Sequence, residues 1–114
     1  MAVMLAMALA QMPAFASDAF FSVVEDLPLA PGLSEEPGGI LFESPSGRIV
    51  EVSATGTIAP AEIESFYAQS LPQLGWQRLA PGTYRRDTEI LRIDTTGANP
   101  ARVRFSMAPQ QGRP

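Results

Sequence analysis

Between Pro60 and Gly75 the chain carries its one stretch of helical periodicity, and period-two, β-branched runs lie on both sides of it. A single amphipathic helix must bury its stripe, and the large apolar surface that such neighbours supply is one face of a sheet. Ile63, Phe66, Tyr67, Ser70, Leu71 and Leu74 recur at three and four residues and define the buried stripe. Pro60 suits the first helical position, Glu62 and Glu64 complement the helix dipole, and Gly75 suits a left-handed C-terminal cap. Pro72 withholds the amide that would bond the carbonyl of Ala68, which loosens the last turn. Trp76 then opens a strand.

Upstream, ILFE and RIVEVSATG flank the turn Ser44-Pro45-Ser46-Gly47 and read as a hairpin. Alternation places Val50, Val52 and Ala54 toward the core and Ile49, Glu51 and Ser53 outward. Downstream, Trp76 to Leu79 and Thr83 to Arg86 flank Ala80-Pro81-Gly82-Thr83, where Pro before Gly fits a type II turn. Glu89 to Thr95 turns Leu91 and Ile93 inward and Arg92 and Asp94 outward. In ARVRFSMA, Val103, Phe105 and Met107 point in while Arg102, Arg104 and Ser106 point out. The expected fold is α+β with two layers: an antiparallel sheet of about five strands in β-β-α-β-β-β order, one helix on one face and water on the other. Phe66, Leu71, Leu74 and Trp76 then belong to the core rather than to an aromatic ligand platform, with Tyr67 at the core rim.

The first sixteen residues, MAVMLAMALAQMPAFA, carry no charge and end in Ala14-Phe15-Ala16. They read as a secretory signal peptide cleaved after Ala16, although no Lys or Arg precedes Arg48 to supply the usual positive flank. The alternative is an N-terminal membrane anchor, for which a run broken by Gln11 and Pro13 is short of the ~20 residues that span a bilayer. Residues 17–38 form an extended Pro/Gly-rich lead segment, with Phe20, Phe21, Val24, Leu27 and Leu29 available to lie along the domain or to tether it. The α+β domain occupies 39–108, and 109–114 read as a disordered tail.

Composition narrows the chemistry. With 46% apolar and 18% charged residues among 114, the chain is globular, and it contains no Cys and no His. All eight basic residues are Arg. Thiolate, imidazole and lysine chemistry are thereby excluded, leaving hydroxyls, guanidiniums and carboxylates. No phosphate-cradling glycine loop is present, Asp87, Glu89 and Asp94 do not match a calcium loop, and Glu35/Glu36 and Glu62/Glu64 read as solvated pairs. No catalytic residue, metal or cofactor is expected. The net charge of −4 argues against nucleic acid. Nine acids against Arg48 give −8 over residues 1–64, and seven Arg against three acids give +4 over 65–114, so the halves can neutralise each other across the fold.

The candidate binding residues are Arg92, Arg102 and Arg104, which alternation brings to one open sheet face, with Arg78 or Arg86 beside them. The plainer reading is a solvated face balanced by Asp94, Glu51 and Glu89. The segment F-Y-x3-L-P-x2-G-W at 66–76 resembles a helix-to-strand phrase of small exported bacterial domains of unassigned function, which implies a fold and a compartment. The expected function is an exported, non-catalytic binding or accessory module, periplasmic or extracellular, whose partner is a protein or an anionic envelope component, with peripheral membrane contact. The alternative is a small ligand-binding protein or hydrolase with a pocket between helix and sheet, using Ser, Tyr67 and carboxylates. A pocket of about 300 Å³ with converging polar groups separates the two.

Overall fold

The computed structural model describes residues 19–110. The signal peptide expected over 1–16 and the last four residues of the tail lie outside them. Seven strands form one antiparallel sheet: β1 (Ser34–Glu35), β2 (Ile40–Ser44), β3 (Gly47–Gly56), β4 (Gln77–Ala80), β5 (Thr83–Arg86), β6 (Glu89–Thr96) and β7 (Ala101–Pro109). Helix α1 (Pro60–Ser70) joins β3 to β4. The expected α+β class and antiparallel sheet are found, but the count of about five strands is corrected to seven. Four strands follow the helix, one for each of the four downstream runs of the sequence, where the order β-β-α-β-β-β counts three. β1 escapes a periodicity search because a two-residue strand has no alternation to show.

The sheet order is β1-β3-β7-β6-β5-β4, with β2 also on β3. Both β1 and β2 lie on one edge of the ten-residue β3: Ser34 and Glu35 face Thr55 and Ala54, and Ile40 to Ser44 face Glu51 to Gly47. Between them Glu36 N donates to Ser53 O (2.8 Å) before Pro37-Gly38-Gly39 carries the chain across the gap. The other edge of β3 pairs with β7 from Val50↔Met107 to Gly56↔Ala101, which brings the two ends of the domain together.

Helix α1 begins at Pro60 after an extended Ala59, and Pro72 turns its continuation into a 3-10 turn, Leu71–Leu74. Gly75 caps this turn at φ 94°, a left-handed conformation that favours glycine. The chain reverses there, and Trp76 fills the interior at 3% exposure while Leu74 is left 39% exposed. Leu74, expected in the core, is therefore a surface residue. Tyr67 departs the other way: it is 1% exposed and a core residue, not a rim one. Its hydroxyl donates to Pro28 O (2.7 Å) and accepts from Ala30 N (3.1 Å), so a buried polar group is satisfied on both sides.

The core stacks Phe21 and Tyr67 edge-on against Phe105 of β7, at 5.1 and 5.2 Å between ring centroids. Phe21 comes from the lead segment, which covers the sheet beside α1. Phe21, Val24, Leu27, Ala30 and Leu33 are all buried. Every third residue thus faces inward, a spacing that is neither α-helical nor strand-like. Turns closed by Phe21 N to Leu27 O (3.0 Å) and Leu27 N to Val24 O (3.1 Å) fold the segment rather than extend it. At the Gly56 end of β3 the contact is so close that a Cβ would collide with the Gly32 carbonyl. One sheet face is therefore sealed by two elements, α1 and the lead segment, and the other stays open.

Candidate functional site

The pairing register lays out the open face as rows of side chains, since residues paired across antiparallel strands share a face. One row runs Phe42–Ile49 on β2 and β3, continues the β3–β7 register to Ala108, and ends Ile90–Arg85 on β6 and β5. The next runs Ile40–Glu51–Ser106–Arg92–Thr83. Then come Ser53–Arg104–Asp94 and Thr55–Arg102–Thr96. Arg92, Arg102 and Arg104 do share this face, as alternation predicts. Arg78 and Arg86 do not join them.

The open face is apolar at one end and charged at the other. Ile40, Phe42 and Ile49 are 56%, 60% and 47% exposed, large values for such side chains. At the charged end Arg102 Nε donates to Glu36 Oε1 (3.1 Å), and Arg104 Nη2 lies 3.8 Å from Glu51 Oε1, with Asp94 opposite Arg104 on β6. Both guanidiniums remain nearly two-thirds exposed. Among the described residues Arg92 makes no ion pair. Gly38 has no side chain to fill the gap between β1 and β2, and a groove of about 650 Å³ opens there toward Asp94 and Arg104. It exceeds the 300 Å³ expected of a ligand site, and charged groups converge on it. Between helix and sheet, where the hydrolase reading places its pocket, the cavity beside Tyr67 measures about 30 Å³, roughly the room one water needs.

A second charged cluster lies at the border of the covered face. Arg48 bridges Glu89 (2.7 Å) and Asp26 (3.0 Å), and Arg86 reaches the same Asp26 (2.9 Å), Glu89 (3.4 Å) and the carbonyl of Leu74 (3.1 Å). The Arg86 guanidinium also lies 4.3 Å above the Trp76 ring. Trp76 is thus a core anchor roofed by a cation, not a ligand platform. Burial raises the Asp26 carboxyl, but hydrogen bonds and charge from Arg48 and Arg86 outweigh it and hold the group below its ordinary value. The Glu89 hydrogen bond is the largest influence raising Arg48. Among the described residues the Trp76 Nε1 and Ser70 Oγ find no hydrogen-bond partner.

The other carboxylates considered for chemistry are dispersed. Glu89 belongs to this cluster, Asp94 faces the open side, and Asp87 sits in the β5–β6 turn at φ 54°. Glu35 accepts from Ser22 N (3.0 Å) and Oγ (2.9 Å), and Glu64 pairs with Arg78 (2.8 Å). Burial pushes the Tyr67 hydroxyl well up. Arg78, Arg86, Arg102 and Arg104 from the second half each pair with Glu64, Asp26, Glu36 or Glu51 from the first, so the charge asymmetry is neutralised across the fold. The sequence missed the Asp26–Arg48–Arg86–Glu89 cluster because its members join three separated segments. The apolar end of the open face was legible as ILF followed by Ile49 on an edge hairpin. Among the described residues no helix is long and apolar enough to cross a membrane. No family model matches the chain, and no curated protein or solved structure matches it either.

Proposed function

We propose that this domain is an exported, non-catalytic binding or accessory module of the cell envelope, and that its contact surface is the open sheet face. The observation that carries the reading is the composition of that face: exposed Ile40, Phe42 and Ile49 at one end share it with Arg92, Arg102 and Arg104 toward the other. Apolar anchors with an arginine-rich surround are what protein interfaces enrich, and isolated solvated faces do not need them. The sequence of residues 1–16 and the resemblance at 66–76 support export. The partner is a protein or an anionic envelope component.

The test is charge reversal, Arg102→Glu with Arg104→Glu, followed by capture from envelope extracts and sedimentation with anionic vesicles at low and high salt. Association that is lost on reversal and weakens with salt supports the reading, because exposed charges are screened within about 10 Å at 0.1 M salt. Unchanged association, or none by the parent at low salt, contradicts it. The groove favours a second reading, binding of a small zwitterion whose charges meet Asp94, Glu36, Arg102 and Arg104. Calorimetric titration with amino acids and short peptides distinguishes it.

A further inference from the structure

On the reading of the open face as the contact surface, we infer that one occupant of that face is a second copy of this chain, packed sheet to sheet about a two-fold axis running roughly along β7. Such an axis lays β7 on its own copy, β3 over the partner's β6 and β2 over the partner's β5. Glu51 then lies over the partner's Arg92, Ile49 over the partner's Ile90, and Phe42 over the partner's Arg85.

Each match pairs opposite charges, apolar side chains, or a guanidinium with an aromatic ring, and the symmetry makes each contact twice. Arg92 makes no ion pair among the described residues, and the axis supplies it with a carboxylate. Glu51 is held only loosely in its own chain, 3.8 Å from Arg104. Arg102 and Arg104, both on β7, each fall near their own copy, and Glu36 bonded to Arg102 and Asp94 opposite Arg104 in each chain offset the repulsion. Ile40, Phe42 and Ile49, each about half exposed or more, lose their contact with water.

The area fits a weak dimer. The rows hold five, five, three and three positions, and at about 4.8 Å between strands and about 6.8 Å between rows they make a face of roughly 520 Å² per copy, roughly 1,050 Å² for the pair. That clears ~1,000 Å² but falls short of the ~1,200 Å² at which standard interfaces begin, so the dimer is weak and salt-sensitive.

The geometry allows a test by mixing. In analytical ultracentrifugation of the full chain as processed by its host, the parent is expected to dimerise at low salt. Glu51→Arg alone and Arg92→Glu alone place like charges opposite each other twice, and each should weaken dimerisation at least 10-fold. Mixed in equal amounts, the two variants again oppose unlike charges at both contacts and should form a heterodimer near the parent's affinity. Both positions are on the open face, and an unchanged melting transition confirms that each variant folds. A monomeric parent, single variants that dimerise as the parent does, or a mixture that fails to recover would each overturn the inference. So would a dimer abolished by Leu41→Pro but indifferent to Arg92→Glu, since that pattern marks edge-to-edge pairing through β2. A monomeric parent that still captures a partner through Arg102 and Arg104 removes the second copy and leaves the contact-face reading standing.

Discussion

Guanidinium and carboxylate groups meet on both sides of this sheet, yet the two sides use them differently. At the border of the covered face Arg48, Arg86 and Glu89 are 22%, 22% and 18% exposed and share the half-exposed Asp26, so four charges from three segments lock into one cluster. On the open face Arg102 and Arg104 are 63% and 64% exposed and each meets a single carboxylate. Burial decides the difference. A partly buried charge that loses its partner is costly to leave alone, whereas an exposed pair contributes ~0–1 kcal/mol and can exchange its partner for another. The covered cluster therefore belongs to the fold, whereas the open pairs can part at little cost to it.

The sharpest way to break this comparison is through Trp76, which the covered cluster roofs. Trp76→Ala empties a buried site and should cost ~3 to 5 kcal/mol in urea unfolding, near the whole stability of a small domain. Trp76→Phe should cost less, since it keeps a ring under Arg86 and removes an indole N–H that has no partner among the described residues.

A smaller effect follows at Tyr67. Tyr67→Phe strips the partner from the Pro28 carbonyl and the Ala30 amide and should cost ~1 to 3 kcal/mol. Because burial raises the hydroxyl, the fold favours its neutral form, and stability falls as pH rises past the ordinary value of 10.0. The variant should lose that share of the alkaline decline, read from unfolding midpoints across pH.

The covered cluster gives an acid-side counterpart. Asp26 is lowered in the fold, so its contribution is present above the ordinary value of 3.8 and is lost as pH falls through the folded value. The stability gap between the parent and Asp26→Asn should be widest near neutral pH and close below 3.8. A gap that does not change with pH would remove the ionic account of the cluster.

How much of this was legible depended on whether a feature had a period. The helix, the β2–β3 hairpin and the inward sides of β6 and β7 followed from spacings of 3.6 and two, and the placement of Arg92, Arg102 and Arg104 followed with them. The lead segment did not, because Phe21, Val24, Leu27, Ala30 and Leu33 recur at three within a chain folded by turns. Leu74 was misplaced because a stripe extrapolated past Pro72 ignores the reversal at Gly75. Tyr67 was misplaced because its hydroxyl partners, Pro28 and Ala30, come from that same unread segment. The covered cluster joins residues 26, 48, 86 and 89, and a separation of this kind leaves no local pattern.

Two paired substitutions, Arg48→Gln with Arg86→Gln and Arg102→Gln with Arg104→Gln, put the comparison of the two faces to its most direct test when their unfolding free energies are measured side by side in urea. The first pair strands Asp26 and Glu89 and uncovers Trp76, and a loss of more than ~2 kcal/mol is expected. The second pair should stay within ~0.5 kcal/mol of the parent while weakening association through the open face. Equal losses from both pairs would contradict the division of the sheet into a structural side and the proposed contact side.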